Sequence, residues 1–166
     1  MPVAVVTGTP TADADGFLDA LAAVRDDAGL AVVQAFDARH VAGREHLRLA
    51  FDLAERERQR GEAIARDREI DVLLYAAGRR QIDDALAMGA QEGEPAAVLV
   101  AGREAAVEAG VSAVRALDAF DAHEADLGDP ATLRAFFEVG DAELAAADGD
   151  LAGVVRERVA LLVVER

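Results

Sequence analysis

The chain has 166 residues, 32 acidic and 17 basic side chains, a net charge of −15 and 52% hydrophobic residues, of which few are aromatic. This length gives one domain with a sizeable core, and so much apolar content excludes a disordered chain, which pairs low hydrophobicity with high charge. The absence of cysteine excludes disulfides, thiolate nucleophiles and cysteine metal sites, and the negative charge opposes duplex or membrane binding by bulk electrostatics.

Residues 3–7 read as a buried strand. Asp13 and Asp15 then supply helix caps, and Phe17, Leu18, Leu21 and Val24 recur at helical spacing up to Gly29. Residues 30–36 form a second apolar run, again a strand. Residues 43–60 predict a helix with Leu47, Ala50, Phe51 and Ala54 on one face, and a short helical segment is possible over 62–68. The run 70–76 reads as the third strand, 81–88 as the next helix, and 96–101 as a fourth strand entered through Gly93-Glu94-Pro95. A short helix begins at 104–109, and 114–117 reads as a weak fifth strand. From Asp118 the pattern is helical. Asp129-Pro130 is a helix start ahead of Leu133, Phe136 and Phe137, Asp141 starts another turn, and 151–164 closes the chain, with 159–164 open to either helix or strand. The expected class is α/β or α+β: a single domain over 1–166, a central mixed sheet covered by helices, and a helical C-terminal part.

All 17 basic residues are arginine; there is no lysine. An acidic, strongly hydrated surface around a core of small aliphatics fits a cytoplasm rich in salt. The first residues are too short and lack the basic flank of a secretory signal. No apolar stretch approaches the roughly 20 residues of a membrane helix, so the expectation is a cytoplasmic protein with no membrane partner.

Most candidate chemistry fails on inspection. Thr7-Gly8-Thr9-Pro10 follows a strand but lacks the glycine-lysine-hydroxyl tail of a phosphate loop. His40, His46 and His123 are not at metal-ligand spacing. Asp118, Asp121, Glu124 and Asp126 read as a solvated face. The one serine, Ser112, has no nearby histidine in sequence. The run from Arg56 to Arg68 alternates in sign, as a helix surface laced with i,i+4 pairs does; the other reading is a ridge on phosphates. No reaction is legible, which favours a binding or regulatory subunit without a cofactor or metal.

One segment stands apart. In Leu73-Leu74-Tyr75-Ala76-Ala77-Gly78-Arg79-Arg80-Gln81-Ile82 an apolar run ends in glycine, and two arginines and a glutamine follow at the start of a helix. Read as a strand–helix junction, it places planar donors beside a helix N-terminus, suited to phosphate, ribose and base edges. The plain alternative is a buried strand, a turn glycine and arginines that are solvated or brace backbone carbonyls.

Three segments together resemble the small kinase-binding subunit of the KEOPS complex, the family that includes the PRPK-binding protein. They are Ala38-Arg39-His40-Val41 leading to Glu45-His46-Leu47 and Ala50; Asp71 to Ile82 with Ala85-Leu86 and Gly89; and Arg156-Glu157-Arg158-Val159-Ala160-Leu161-Leu162. The resemblance covers roughly residues 30–166. Its most specific part is Gly78-Arg79-Arg80-Gln81-Ile82, which matches a family pattern of Gly, any residue, Arg, Gln, Ile. Ala77 stands where family members often carry serine, and the acidity departs from more basic members.

The resemblance implies a non-catalytic subunit of the complex that installs threonylcarbamoyl on an adenosine next to the tRNA anticodon. It docks on the amino-terminal lobe of a small atypical kinase/ATPase, in archaeal members captures the single-stranded 3′ CCA end of tRNA, and serves the threonylcarbamoyl transferase subunit indirectly; the acidity suits an archaeal, salt-adapted type. The expected tRNA-binding residues are Arg79, Arg80, Gln81, Ile82, His46 and Arg44, with His46 and arginine planes as stacking surfaces. The expected kinase contacts are Leu151, Val154, Val155 and Leu162. The alternatives are a protein-interaction module that regulates the kinase without RNA, and a small-molecule enzyme using a pocket near Gly78.

The charge itself makes a prediction. Self-repulsion at −15 is screened by salt, so the melting temperature rises from low to molar potassium chloride; a flat or falling curve removes the salt-adapted reading.

Overall fold

Short apolar runs rich in valine make buried strands, and β1 (Val3–Pro10), β2 (Val32–Asp37) and β3 (Ala96–Ala101) are such runs, paired in register. In the computed structural model, which describes residues 1–164, they join β4 (Phe120–Ala122) in one sheet of order β2-β3-β1-β4. Each pairing is antiparallel. β1 and β2 therefore run in the same direction with β3 between them, linked by α1 (Ala14–Ala28) as a split βαβ unit.

Register explains the core. Val98 lies opposite Val6 on one side and Ala35 on the other, and Val100 lies between Ala4 and Val33. With period 2, these side chains share one face. They pack with Phe17, Leu21 and Val24 of α1, with Val107 and Val114 of α5 (Glu104–Arg115), and with Phe120, whose ring stacks on Phe17 at 5.4 Å. Asp13 starts α1 by accepting from the Gly16 N–H at 2.8 Å, and Gly29 ends it in the left-handed region at φ 69°.

The remaining elements are helical. They are α2 (Arg44–Gln59), α3 (Arg68–Ala77), the single turn α4 (Ile82–Ala85), α6 (Pro130–Phe136), α7 (Asp141–Ala146) and α8 (Leu151–Val164). α2 packs on α3 and on α8. The chain divides into two compact units, each drawn from two stretches of sequence: 1–38 with 89–126, which holds the sheet, α1 and α5; and 39–88 with 127–166, which holds the other helices. No described helix is long and apolar enough to cross a membrane.

The class is α+β, as expected, with three of the four main strands in place. The expected strand over 70–76 is instead the body of α3. Asp67 caps it by accepting from the Ile70 N–H at 3.0 Å, and Gly78 at φ 63° closes it with its N–H on the Leu74 and Tyr75 carbonyls. Residues 71–77 are all buried. A helix buried all round loses its 3.6-residue stripe and reads as the same unbroken apolar run as a buried strand. Without a strand there the sheet is antiparallel throughout rather than mixed.

Smaller expectations also change. Residues 114–117 end α5 and the turn after it, and the fourth strand is Phe120–Ala122 in a stretch expected to be helical. Residues 62–67 are irregular loop and bend, 81–88 shorten to α4 and a 3₁₀ turn, and 159–164 are helix.

Gly8 marks the tightest approach in the sheet. A Cβ there would meet the Asp121 carbonyl oxygen, the Phe120 ring at 2.6 Å and the Ala122 Cα at 2.9 Å. Two of these are backbone atoms of the paired strand, which must move. Gly8→Ala is therefore expected to cost about 1–3 kcal/mol of stability, read by denaturant unfolding.

Candidate functional site

A cleft is built on α3. Ile70 and Leu74, one turn apart, face it from the helix; Ile64, Ala65, Arg66 and Asp67 form one wall; Arg80, Gln81, Ile82 and Asp83 form the other. Its volume is about 490 Å³, within the range that holds a nucleoside-sized group. Apolar side chains supply most of its body. The donors at its margin are Arg66, Arg80 and Gln81, and Arg66, Gln81 and Ile82 are exposed.

A buried carboxylate holds the first wall. Asp71 Oδ1 accepts the backbone N–H groups of Ile64 and Ala65, both at 3.1 Å, and Arg58 Nη2 meets Oδ2 at 3.3 Å. The same guanidinium donates to the carbonyls of Ala65 (2.8 Å) and Arg66 (3.2 Å). Burial pushes the Asp71 pKa upward, against the pull of the two N–H groups and Arg58. The sequence reading passed over this residue. In the sequence it stands at the head of the apolar run 72–77, two residues after Glu69, and looks like the last of the charged residues before that run.

The Gly78–Ile82 segment is a helix–helix junction, not the end of a strand. The arginines follow the C-terminus of α3, and α4 has only four residues, too few to build an anion site from its dipole. Arg79 lies over the Phe136 ring, 4.6 Å from its centroid, and donates to the Phe136 carbonyl at the end of α6. Arg80 Nη2 donates to the Leu162 carbonyl at 2.9 Å, in the last turn of α8. Both side chains are half-buried and brace helix ends. Arg80 also reaches the cleft, and its Nε is buried without a partner. Gln81 is exposed on the rim.

His46 is fully buried. Its Nδ1 accepts from the Ala42 N–H at 3.0 Å, so the proton sits on Nε2, which donates to the Ala76 carbonyl at 2.8 Å. An edge-on contact with Phe137, 5.8 Å between centroids, covers the ring further. No ring face remains for a stacked base, so the expected stacking role is corrected to a clamp between α2 and α3. Arg44, the first residue of α2, is exposed but does not line the cleft.

The C-terminal contacts also change. Val154, Val155 and Leu162 face inward and are buried, and Leu151 is half-buried. The stripe expected to meet a partner packs within the chain instead. The large apolar side chains left exposed in these elements are Leu161 and Val164 on α8, with Ile82 and Leu86 beside Gln81.

Of the alternating run 56–68, Arg58 serves Asp71, Arg60 pairs with Glu57 at 3.4 Å and Arg68 with Glu55 at 3.4 Å. Arg56 and Arg66 remain exposed. Among the described residues no group of three or more His, Asp or Glu side chains is placed to hold a metal.

Burial holds the His46 pKa down to about 4, the backbone bond to Ala76 opposing it only in part. Above the unfolded value of about 6.5 both states are neutral and the full contribution is present. As pH falls from there toward 4, the unfolded chain takes a proton that the folded chain refuses. Stability then drops, by up to about 3 kcal/mol from this residue. Urea unfolding at pH 7 and pH 4.5 is expected to show a smaller drop in His46→Gln than in the parent.

No protein-family model matches this sequence, and no curated protein matches it significantly.

Proposed function

We propose that this chain is a non-catalytic subunit of the KEOPS type. In this reading it docks on a small atypical kinase/ATPase in the cytoplasm and recruits tRNA by its 3′ CCA end for threonylcarbamoyladenosine modification. The observation that carries the RNA part is the cleft. The second half of the most specific resembling motif, Arg80-Gln81-Ile82, lines it, and the cleft combines apolar walls with donors of the kind unstacked bases and ribose require.

The acidity is compatible with this role. Phosphate-driven affinity decays steeply with salt because counterion release drives it. Burial of base faces against Ile64, Ile70, Leu74 and Ile82, with hydrogen bonds from Gln81 and the arginines, is less salt-sensitive. A surface of net charge −15 discourages docking of any duplex that lacks the end. The apolar kinase contacts are assigned to exposed Leu86, Leu161 and Val164 rather than to the inward stripe of α8.

Arg79 and Arg80 close helix ends, so the test uses the exposed residues Arg66 and Gln81. Replacing both with Ala should weaken binding of full-length tRNA by about 1–3 kcal/mol in a binding titration at molar salt. It should barely affect tRNA lacking CCA, and should leave kinase binding intact. Kinase binding with no affinity for either RNA in the parent protein would favour the interaction module without RNA; equal loss on both RNAs would move the CCA site elsewhere.

A further inference from the structure

The loop between α2 and α3 has no secondary structure of its own, yet it forms a complete wall of the cleft. Its entry is fixed by the C-terminal turn of α2: the Gly61 N–H bonds the Arg58 carbonyl at 3.0 Å and the Glu62 N–H bonds the Glu57 carbonyl at 2.8 Å. Its exit is fixed by the Asp67 cap on α3. Between these points, the N–H groups of Ile64 and Ala65 and the carbonyls of Ala65 and Arg66 bond to two side chains, Asp71 and Arg58. The three residues so held are cleft residues, and Asp71 stands on the helix that supplies Ile70 and Leu74. One carboxylate therefore sets the distance from wall to floor.

We propose that Asp71, seated by Arg58, is a positioning residue for the cleft: it holds the 61–67 loop in place before a ligand arrives, so that binding does not have to order it. This rests on the reading of the cleft as the site for an RNA 3′ end. A wall ordered in advance raises affinity by removing the entropy cost of ordering a segment on binding. Charge-assisted bonds to the backbone are strong enough to do so. A carboxylate kept only to fill the core would stabilise the chain without altering ligand affinity, and that difference can be measured.

The variants are Asp71→Asn and Arg58→Gln. Asparagine keeps an oxygen for the Ile64 and Ala65 N–H groups but loses the charge that seats Arg58. Arg58→Gln keeps Asp71 and removes the fork, which gives a second route if the first variant does not fold. The probe is the trinucleotide CCA in molar potassium chloride. Amide hydrogen exchange over 62–67 is read without RNA, with α8 as the internal control. The expected result is exchange about tenfold faster in the loop, unchanged exchange in α8, and CCA affinity about tenfold weaker. Exchange unchanged from the parent, or faster exchange with full CCA affinity, overturns the positioning role. A parent protein with no affinity for CCA overturns the functional reading, and the positioning role with it.

Discussion

A helix ends with carbonyls that have no partner in the helix, and the stretches 39–88 and 127–164 are arranged around that constraint. Four of their helices, α3, α4, α6 and α7, have ten residues or fewer, so orphan carbonyls are numerous. Arginine forks satisfy several of them. Arg79 takes the Phe136 carbonyl and Arg80 that of Leu162, both in last helical turns; Arg158 takes that of Phe137, the residue that caps α6, and with Arg134 also closes the carbonyls of Glu138 and Val139 in the link to α7, while gripping Glu143 bidentately. A guanidinium carries several donors in one plane, so one side chain closes a helix and still pairs with an acid. Lysine, a point charge on a flexible stem, closes fewer such groups at once. In these elements the all-arginine composition has a structural use as well as a surface one.

The same constraint shapes the cleft. The motif after Gly78 serves two demands, since its arginines brace α6 and α8 while its glutamine and isoleucine reach the opening. The opposite wall is pinned by Arg58 and Asp71, so both sides of the cleft are fixed by guanidinium bonds to backbone carbonyls. A site held that firmly offers shape and hydrogen bonds rather than loose positive charge.

What the sequence revealed follows the range of the forces involved. β1, β2 and β3 stand out as short apolar runs, α1 carries Asp13 and Gly29 at its ends, and Asp129-Pro130 opens α6; each is a local signal. α3 reads as a strand because its burial on all sides erases its stripe, although Asp67 and Gly78 flank it as helix caps and its Leu and Ala residues favour helix over strand. β4 has three residues and exists through its pairing with Gly8, Thr9 and Pro10, more than a hundred positions earlier. The motif at 78–82 was legible; which of its side chains face inward was not, because that depends on carbonyls of α6 and α8. His46 failed in the same way: the sequence shows an imidazole, while its enclosure depends on Ala76 and Phe137.

Each of the two units is assembled from two separate stretches, with the chain passing between them at 38–39, 88–89 and 126–127. No single cut of the chain therefore releases either unit whole. On the ribosome this imposes a wait. β1 is made first, but its partner begins with Ala96, and Val3 pairs with Ala101. At ordinary elongation rates the strand stands unpaired for roughly 5 to 20 seconds. During that time its edges are open, and dense negative charge along α1, from Asp13 to Asp27, is the nearest thing the nascent chain has to a guard against pairing with a neighbour.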